Sequence, residues 1–87
     1  MMPLNYAILK YFTTVEKGCA DDVIEALKPE YGKFRGLRKP EVIEALMTAE
    51  KNGLLEEANF ELDENGELRI YYTAPAESRQ TILRYIG

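Results

Sequence analysis

The hydrophobic and polar positions of this chain follow two different periods, and the change from one to the other falls at Gly53. Before Gly53, apolar residues recur at every third or fourth position, which places them on one side of an α-helix. After Gly53, they recur at every second position over two short stretches, which is typical of a β-strand with one buried face. The pattern therefore predicts a group of helices followed by a hairpin.

The helix that precedes Gly53 has the clearest boundaries. Pro40 suits the first turn of a helix, where its missing N–H has no partner to lose, and Gly53 suits the left-handed turn that closes a helix. One side of this helix is expected to be buried, and it carries Val42, Ile43, Leu46 and Ala49. The other side is expected to be exposed, and it carries Glu41, Glu44, Thr48 and Lys51. We predict an amphipathic helix over residues 40–52.

A first amphipathic helix is predicted over residues 4–16, where apolar residues keep the i, i+3, i+4, i+7 spacing. Lys17 and Gly18 follow it as a favourable C-terminal cation and a left-handed stop. Tyr6 and Leu9 lie outside the main apolar stripe. We therefore expect these two side chains to contact a later element or a second subunit.

A second helix is predicted between these two. Asp21 supplies an aspartate cap, and Asp22 with Glu25 has the spacing of a capping box. Pro29 disfavours helical geometry in the residue before it, so this helix is expected to end near Leu27 or Lys28, although Glu30 and Tyr31 could continue as an irregular turn.

The alternating stretches after Gly53 predict two antiparallel strands joined by a turn at residues 63–67. A two-residue turn at Asn65 and Gly66 would place Ile70 on the wrong face. A three-residue loop with Gly66 as a left-handed bulge residue gives one continuous apolar face instead. We expect this second register, which pairs Leu62 with Leu68, Phe60 with Ile70 and Ala58 with Tyr72.

A fourth helix is predicted to follow the hairpin, with Pro75 at its first position. Its apolar arc comprises Ile82, Leu83, Tyr85 and Ile86. The complete pattern predicts one α+β domain over residues 1–87, with a three-helix core, a two-stranded hairpin and a C-terminal helix.

Composition argues against catalysis and metal binding. Histidine is absent, which removes the commonest acid–base residue at neutral pH and the commonest zinc ligand, and Cys19 is the only cysteine. The plentiful carboxylates fall in no motif that would activate a nucleophile. We therefore expect a protein that is not an enzyme, without catalytic residues, metal or cofactor.

The apolar stretches are short. None approaches the roughly 20 residues that a membrane-spanning helix needs, and the N-terminus lacks a basic leader and a cleavage site. We expect a cytoplasmic protein with no membrane partner.

The net charge of −4 conceals an asymmetry along the chain. Residues 33–39 contain four cations and no acid, whereas residues 41–67 contain nine carboxylates and one base, Lys51. The cationic loop is either a phosphate-binding patch or a solvated segment that neutralises nearby acids. Nucleic-acid-binding domains usually carry a net basic face, so the acidic stretch opposes DNA binding.

The order of predicted elements, together with the segment ALMTAEKNGLL at residues 45–55, resembles the winged helix-turn-helix superfamily. The segment is similar to the recognition-helix exit of small bacterial PadR-like and MarR-like regulators, which commonly show a leucine, a glutamate and then Gly-Leu at this spacing. The resemblance implies a small transcriptional regulator that binds double-stranded DNA as a homodimer, with the third helix in the major groove and the hairpin as a wing.

The resemblance also implies site residues. Contacts with DNA would fall to Lys33, Arg35, Arg38, Lys39, Thr48, Lys51, Asn52 and Arg69. Contacts between subunits would fall to Tyr6, Leu9, Ile82, Leu83, Tyr85 and Ile86. The alternative is a winged-helix protein–protein interaction module that uses an acidic surface to bind a basic protein and does not bind DNA.

Overall fold

The computed structural model describes residues 1–86 and shows, within them, four α-helices and one two-stranded antiparallel sheet. The elements in chain order are α1 (Leu4–Tyr11), α2 (Ala20–Tyr31), a 3₁₀ turn (Arg35–Leu37), α3 (Lys39–Lys51), β1 (Glu56–Leu62), β2 (Leu68–Thr73) and α4 (Ala76–Tyr85). The predicted α+β class and the predicted order of helices and hairpin are confirmed. The arrangement is compatible with a winged-helix-like fold. Over the same residues, no helix combines the length and the apolar character that crossing a membrane would require.

The core lies where α1, α2 and α3 pack together and the chain enters β1. Its largest fully buried side chains are Phe12, Val23, Val42, Leu46 and Leu55. Full burial of an aliphatic or aromatic side chain contributes about 1.5–3 kcal/mol relative to exposure. The three helices are therefore held together chiefly by removal of these apolar surfaces from water.

The third helix agrees with its prediction to within one residue at each end. Pro40 lies in its first turn, and Gly53 follows it with a φ of 78°. Three of the residues predicted to be buried are buried, namely Val42, Leu46 and Ala49. The prediction that Ile43 is buried was wrong. Its side chain is 41% exposed because it lines the boundary between α3 and the hairpin and does not enter the helical core.

The first helix ends earlier than predicted, at Tyr11. The hydroxyls of Thr13 and Thr14 donate to the carbonyl oxygens of Lys10 and Tyr11, at 2.6 and 2.7 Å. These bonds satisfy carbonyl groups that a continuing helix would otherwise pair. The prediction of a left-handed stop at Gly18 was also wrong, since its φ is not positive.

Gly18 instead pairs with the hairpin. Its N–H donates to the carbonyl of Tyr72 at 2.9 Å, and the N–H of Tyr72 donates to the carbonyl of Gly18 at 2.8 Å. The hydroxyl of Thr73 donates to the carbonyl of Glu16 at 2.6 Å. The segment between α1 and α2 therefore lies along the outer side of β2 and fixes the base of the hairpin.

The second helix begins two residues earlier than a cap at Asp21 implies, at Ala20, with Cys19 as its N-cap. The backbone N–H of Cys19 donates to the carboxylate of Asp22 at 3.0 Å. The reciprocal contact predicted between Asp22 and Glu25 was therefore misplaced by one turn, because Asp22 occupies the third helical position and reaches back to the cap.

The second helix also ends later than predicted. It continues through Pro29 to Tyr31. The side chain of Tyr31 is buried, and its hydroxyl donates to the carbonyl of Met2. Packing of this aromatic residue holds the last turn in place, although Pro29 contributes no N–H to the helix.

The hairpin has the predicted turn and most of the predicted register. Gly66 has a φ of 77°, and the N–H of Asp63 closes the loop by donating to the carbonyl of Glu67 at 2.9 Å. Leu62 lies opposite Leu68 and Phe60 lies opposite Ile70, as expected. The expected pair of Ala58 with Tyr72 was wrong, because a β-bulge inserts Ala58 and places Glu57 opposite Tyr72.

The fourth helix begins at Ala76, so Pro75 is its N-cap residue and not its first helical residue as predicted. Arg79 fastens this helix to the rest of the fold. Its guanidinium donates to the carbonyl oxygens of Ala74 and Val15, each at 2.7 Å. Ile82, from the predicted apolar arc, is buried.

Candidate interaction surface

An exposed apolar surface extends over the hairpin and the adjacent side of α3. Phe60 is 64% exposed, Leu62 68% and Leu68 59%, while Met47 on α3 is 47% exposed. These four residues and Ile43 form a surface that we name the α3–hairpin face. Large contiguous apolar patches on protein surfaces commonly belong to interaction sites, whereas single exposed apolar residues are normal.

Strand alternation explains the hairpin part of this surface. The cross-strand pairs of Leu62 with Leu68 and Phe60 with Ile70 place all four side chains on one side of the ribbon. Tyr72 continues the same side of β2 and is buried at the base, whereas Ile70 is only partly buried. The hairpin therefore projects from the core, and the solvent exposure of its apolar side increases towards the turn.

A small cavity joins the two parts of the α3–hairpin face. It has a volume of about 90 Å³, and its apolar lining includes Ile43 and Met47 from α3 and Leu68 and Ile70 from β2. Sites for small molecules typically have volumes of about 300–1,000 Å³. The volume of this cavity lies below that range.

A cluster of charges borders this cavity. The carboxylate of Asp21 lies 3.3 Å from the Nζ atom of Lys39 and 3.5 Å from a guanidinium nitrogen of Arg69. Arg69 also lies 3.6 Å from the carboxylate of Glu61. Two of the cations expected to contact DNA are therefore already paired with carboxylates, which reduces the positive potential they offer to phosphate.

The opposite side of the hairpin is polar. Lys17 donates to the side-chain oxygen of Asn59 at 2.7 Å, and its Nζ atom lies 5.1 Å from the centre of the Tyr71 ring. The hydroxyl of Tyr71 donates to Glu61 at 3.0 Å. This bond to a carboxylate raises the pKa of Tyr71, because it stabilises the protonated phenol. Apolar exposure is thus confined to one side of the ribbon.

The other residues expected to contact DNA fall in separate places. Lys33, Arg35 and Arg38 are exposed in the segment between α2 and α3, and none of them forms a salt bridge with any residue in the range 1–86. Lys51 is exposed at the end of α3. Within residues 1–86, Lys33, Arg35 and Arg38 therefore form no salt bridge, whereas Lys39 is paired with Asp21.

Thr48 and Asn52 lie on a different flank of α3. They line an open groove of about 430 Å³ between α1 and α3, beside Leu9 and the carboxylates of Glu41 and Glu44. A phosphate backbone that approached this groove would meet two negative charges. The structure brings Thr48 and Asn52 together but does not place them beside the hairpin.

The residues expected to form a subunit contact lie on α1 and α4, which contact each other. Tyr6, Leu83 and Tyr85 are exposed, whereas Leu9 and Ile86 are partly buried. Ile82 packs inside the chain. Three large side chains on adjoining helices thus remain accessible.

Sequence reasoning did not anticipate the α3–hairpin face as an exposed surface. Alternation in the hairpin predicted its apolar side, but alternation does not indicate whether another element covers that side. Met47 carried no signal, because it lies between the predicted buried and exposed stripes of α3.

Across residues 1–86, no cluster of three or more histidine, cysteine or acidic side chains is placed to hold a metal ion. Burial raises the pKa of Cys19, because the thiolate would be poorly solvated, and its Sγ atom lies 3.3 Å from a carboxylate oxygen of Asp22.

No protein-family model matches this chain, and a search of curated proteins finds no significant match.

Proposed function

We propose that this protein is a winged-helix-like interaction module that binds a protein partner through the α3–hairpin face. The observation that carries the proposal is the exposure of five large apolar side chains on adjoining elements: Ile43, Met47, Phe60, Leu62 and Leu68. Burial of apolar surface contributes about 25 cal/mol per Å², so a partner that covers these residues gains binding free energy from each of them.

The chemistry of the face favours a protein over DNA. The centres of protein interfaces are depleted of charged side chains and enriched in aromatic and methionine side chains. Phe60 and Met47 fit that description, while the nearest cations, Lys39 and Arg69, are paired with Asp21. DNA binding depends mainly on unpaired cations that neutralise phosphates.

The winged-helix assignment is supported by topology. α2 and α3 pack against each other, and the hairpin follows α3 directly. The segment between α1 and α2 also forms an isolated antiparallel bridge with β2, through the backbone bonds between Gly18 and Tyr72. In such a fold, α3 and the hairpin form the usual binding side.

A test of the protein-binding proposal uses two neighbouring residues on different flanks of α3. Wild-type protein, Met47→Asp and Thr48→Asp are each immobilised and exposed to extract from the source cells, and bound proteins are identified by mass spectrometry. We expect one specific partner to be retained by the wild type and by Thr48→Asp and to be lost with Met47→Asp. Equal retention by all three proteins contradicts the proposal.

DNA binding by a small transcriptional regulator is the second candidate. It is supported by Lys33, Arg35 and Arg38, which are exposed and form no salt bridge within residues 1–86. Binding to a generic duplex at low salt, weakened by Arg35→Ala or Arg38→Ala and by added salt, would support this function. Absence of binding at low salt excludes it.

We also propose a homodimer formed through α1 and α4, in line with the resemblance to PadR-like regulators. Its support is the exposure of Tyr6, Leu83 and Tyr85. Sedimentation equilibrium at micromolar concentration tests it. A dimer that dissociates in Leu83→Asp is the expected result, and a strictly monomeric wild type contradicts the proposal.

A further inference from the structure

We propose that the outer edge of β1 accepts an extended segment of a partner protein, in which apolar residues alternate with lysine or arginine. This inference rests on the proposed protein-binding function and specifies how the partner is held. The segment would add a strand to the hairpin, with backbone hydrogen bonds supplying binding energy and alternate side chains supplying specificity.

The backbone of β1 is open on one side. β1 pairs with β2, and within residues 1–86 no further strand lies beside it. The N–H of Asp63 donates to the carbonyl of Glu67, which makes that pair the first hydrogen-bonded pair of the ladder. Since hydrogen-bonded and non-hydrogen-bonded pairs alternate, the N–H and C=O groups of Phe60 and Leu62 point away from β2. An added strand forms hydrogen bonds with every second residue of the edge that it joins, so it could bond to the outward-pointing groups of Phe60 and Leu62.

The outer side of β2 is partly occupied. The N–H and C=O of Tyr72 on that side are bonded to Gly18. An incoming strand at β2 would therefore meet the segment between α1 and α2 near the base of the hairpin, whereas β1 carries no such obstruction within the described residues.

The same residues of β1 also carry the exposed apolar side chains. Phe60 and Leu62 are 64% and 68% exposed and lie on one side of the ribbon. In an added strand, every second residue would lie on that side and would cover them. Backbone pairing and apolar burial would thus be satisfied by one extended segment.

The negative charge of β1 and the following turn indicates which side chains the partner would carry between its apolar residues. Residues 56–67 contain no lysine or arginine and six carboxylates, which belong to Glu56, Glu57, Glu61, Asp63, Glu64 and Glu67. A cationic strand would be attracted to this stretch. A second copy of β1 would place like charges side by side, and a nucleic acid would bring phosphates to the same carboxylates, so both are disfavoured.

The test uses a synthetic heptapeptide of alternating lysine and valine, titrated into the ¹⁵N-labelled full-length protein and followed by NMR. We expect saturable shifts that centre on the amides of Phe60 and Leu62, together with slower hydrogen exchange at both amides. Shifts that centre elsewhere, or no saturable shifts, overturn the proposal.

Two altered peptides separate strand addition from simple charge attraction. The lysine–valine peptide N-methylated at every amide keeps its charge but has no N–H donor on either edge for strand pairing, and it is expected to lose binding. A glutamate–valine peptide keeps the pairing groups but reverses the charge, and it is also expected to lose binding. Retained binding of the N-methylated peptide would show attraction without strand pairing and would overturn the proposal.

Matched charge reversals test the location. Glu57 and Glu44 are both exposed and carry no salt bridge in the described chain, but only Glu57 lies on β1. We expect Glu57→Lys to weaken peptide binding about threefold more than Glu44→Lys, a difference in the range of exposed ion pairs. Equal weakening by both changes would contradict an edge site on β1.

The outcomes also separate this inference from the proposed function. If Met47→Asp abolishes capture of a partner but the peptide does not bind β1, the strand-addition inference is overturned and the proposed function stands. If sedimentation shows that Phe60→Glu dissociates a dimer, a second copy occupies the edge and the inference is overturned. If duplex DNA competes with the peptide for the shifts at Phe60 and Leu62, the cationic-segment assignment is overturned.

Discussion

Gly18 and Tyr72 exchange two backbone hydrogen bonds of 2.9 and 2.8 Å, although they are separated by most of the chain. This pairing fixes the base of the hairpin to the segment between α1 and α2. In the described part of the chain, the apolar residues nearer the turn form no such backbone bonds to a segment outside the hairpin. The hairpin is therefore anchored at one end and exposed at the other, which is the arrangement from which its proposed binding role follows.

Gly18 should tolerate little added volume. A Cβ atom at this position would lie 3.2 Å from Cε2 of Tyr11, so the tyrosine ring or the backbone would have to move. We expect Gly18→Val to lower the free energy of unfolding by about 1–3 kcal/mol, as overpacking commonly does. Urea denaturation measures the change, with the exposed Glu16→Val as a control for a β-branched residue in the same segment. Equal stability of the two variants would contradict the close packing.

Gly66 should be required for its backbone conformation and not for its small size. Its φ is 77°, and among the residues that the structure describes no atom outside the adjoining residues lies within 4 Å of the position that a Cβ would occupy. Gly66→Ala is expected to destabilise the protein by about 1–2 kcal/mol, the cost of the left-handed region for an L-residue. Gly66→Asn should cost less, because asparagine tolerates this region better. Denaturant midpoints that rank alanine above asparagine would contradict this explanation.

The hairpin turn should weaken in acid. The carboxylate of Asp63 accepts hydrogen bonds from the backbone N–H of Glu67 at 2.9 Å and of Asn65 at 2.8 Å, which lower the pKa of Asp63. Because the folded-state pKa is below the unfolded value of about 3.9, the stabilisation is present above that pH and is lost as pH falls through the folded value.

Asp63→Asn isolates this effect from that of the other carboxylates. The free energy of unfolding is measured for both proteins from neutral pH down to about pH 2, below the usual range of aspartate pKa values. We expect the wild type to lose more stability than the variant over the acid part of this range. Parallel curves for the two proteins would show that the turn bonds do not favour the ionised carboxylate.

Cys19 should react slowly in the folded protein. It is buried, and burial raises the pKa of its thiol, so little thiolate forms at neutral pH. We expect labelling by a thiol-specific disulfide reagent to be far slower in the native protein than in urea, where the thiol is exposed. Similar rates under both conditions would indicate that Cys19 is accessible in the native fold.

Local signals account for much of the architecture. Pro40 and Gly53 bounded α3 because each acts through its own backbone, and Gly66 determined the register of Leu62 with Leu68 for the same reason. Some of the errors came from contacts distant in sequence, whereas the early end of α1 and the shifted cap of α2 came from local hydrogen bonds. Tyr31 extended α2 past Pro29 through burial and a bond to Met2, which no local pattern could indicate.

The candidate surface was less predictable than the fold. The exposure of Phe60 and Leu62 depends on how far the hairpin projects beyond the helices, which is a property of the assembled structure. The pairing of Lys39 and Arg69 with Asp21 likewise joins three elements distant in sequence. A cluster of cations in the sequence therefore did not translate into one basic surface.

Site-specific photo-crosslinking in the source cells tests the central claim most directly. A benzoyl-phenylalanine side chain is placed at Leu68, inside the α3–hairpin face, and in a second protein at Glu44, which lines the groove on the other flank of α3. We predict that irradiation links the Leu68 position to one defined protein and that the Glu44 position gives no such product. Crosslinks from Leu68 to DNA alone, or the same protein products from both positions, would contradict the account.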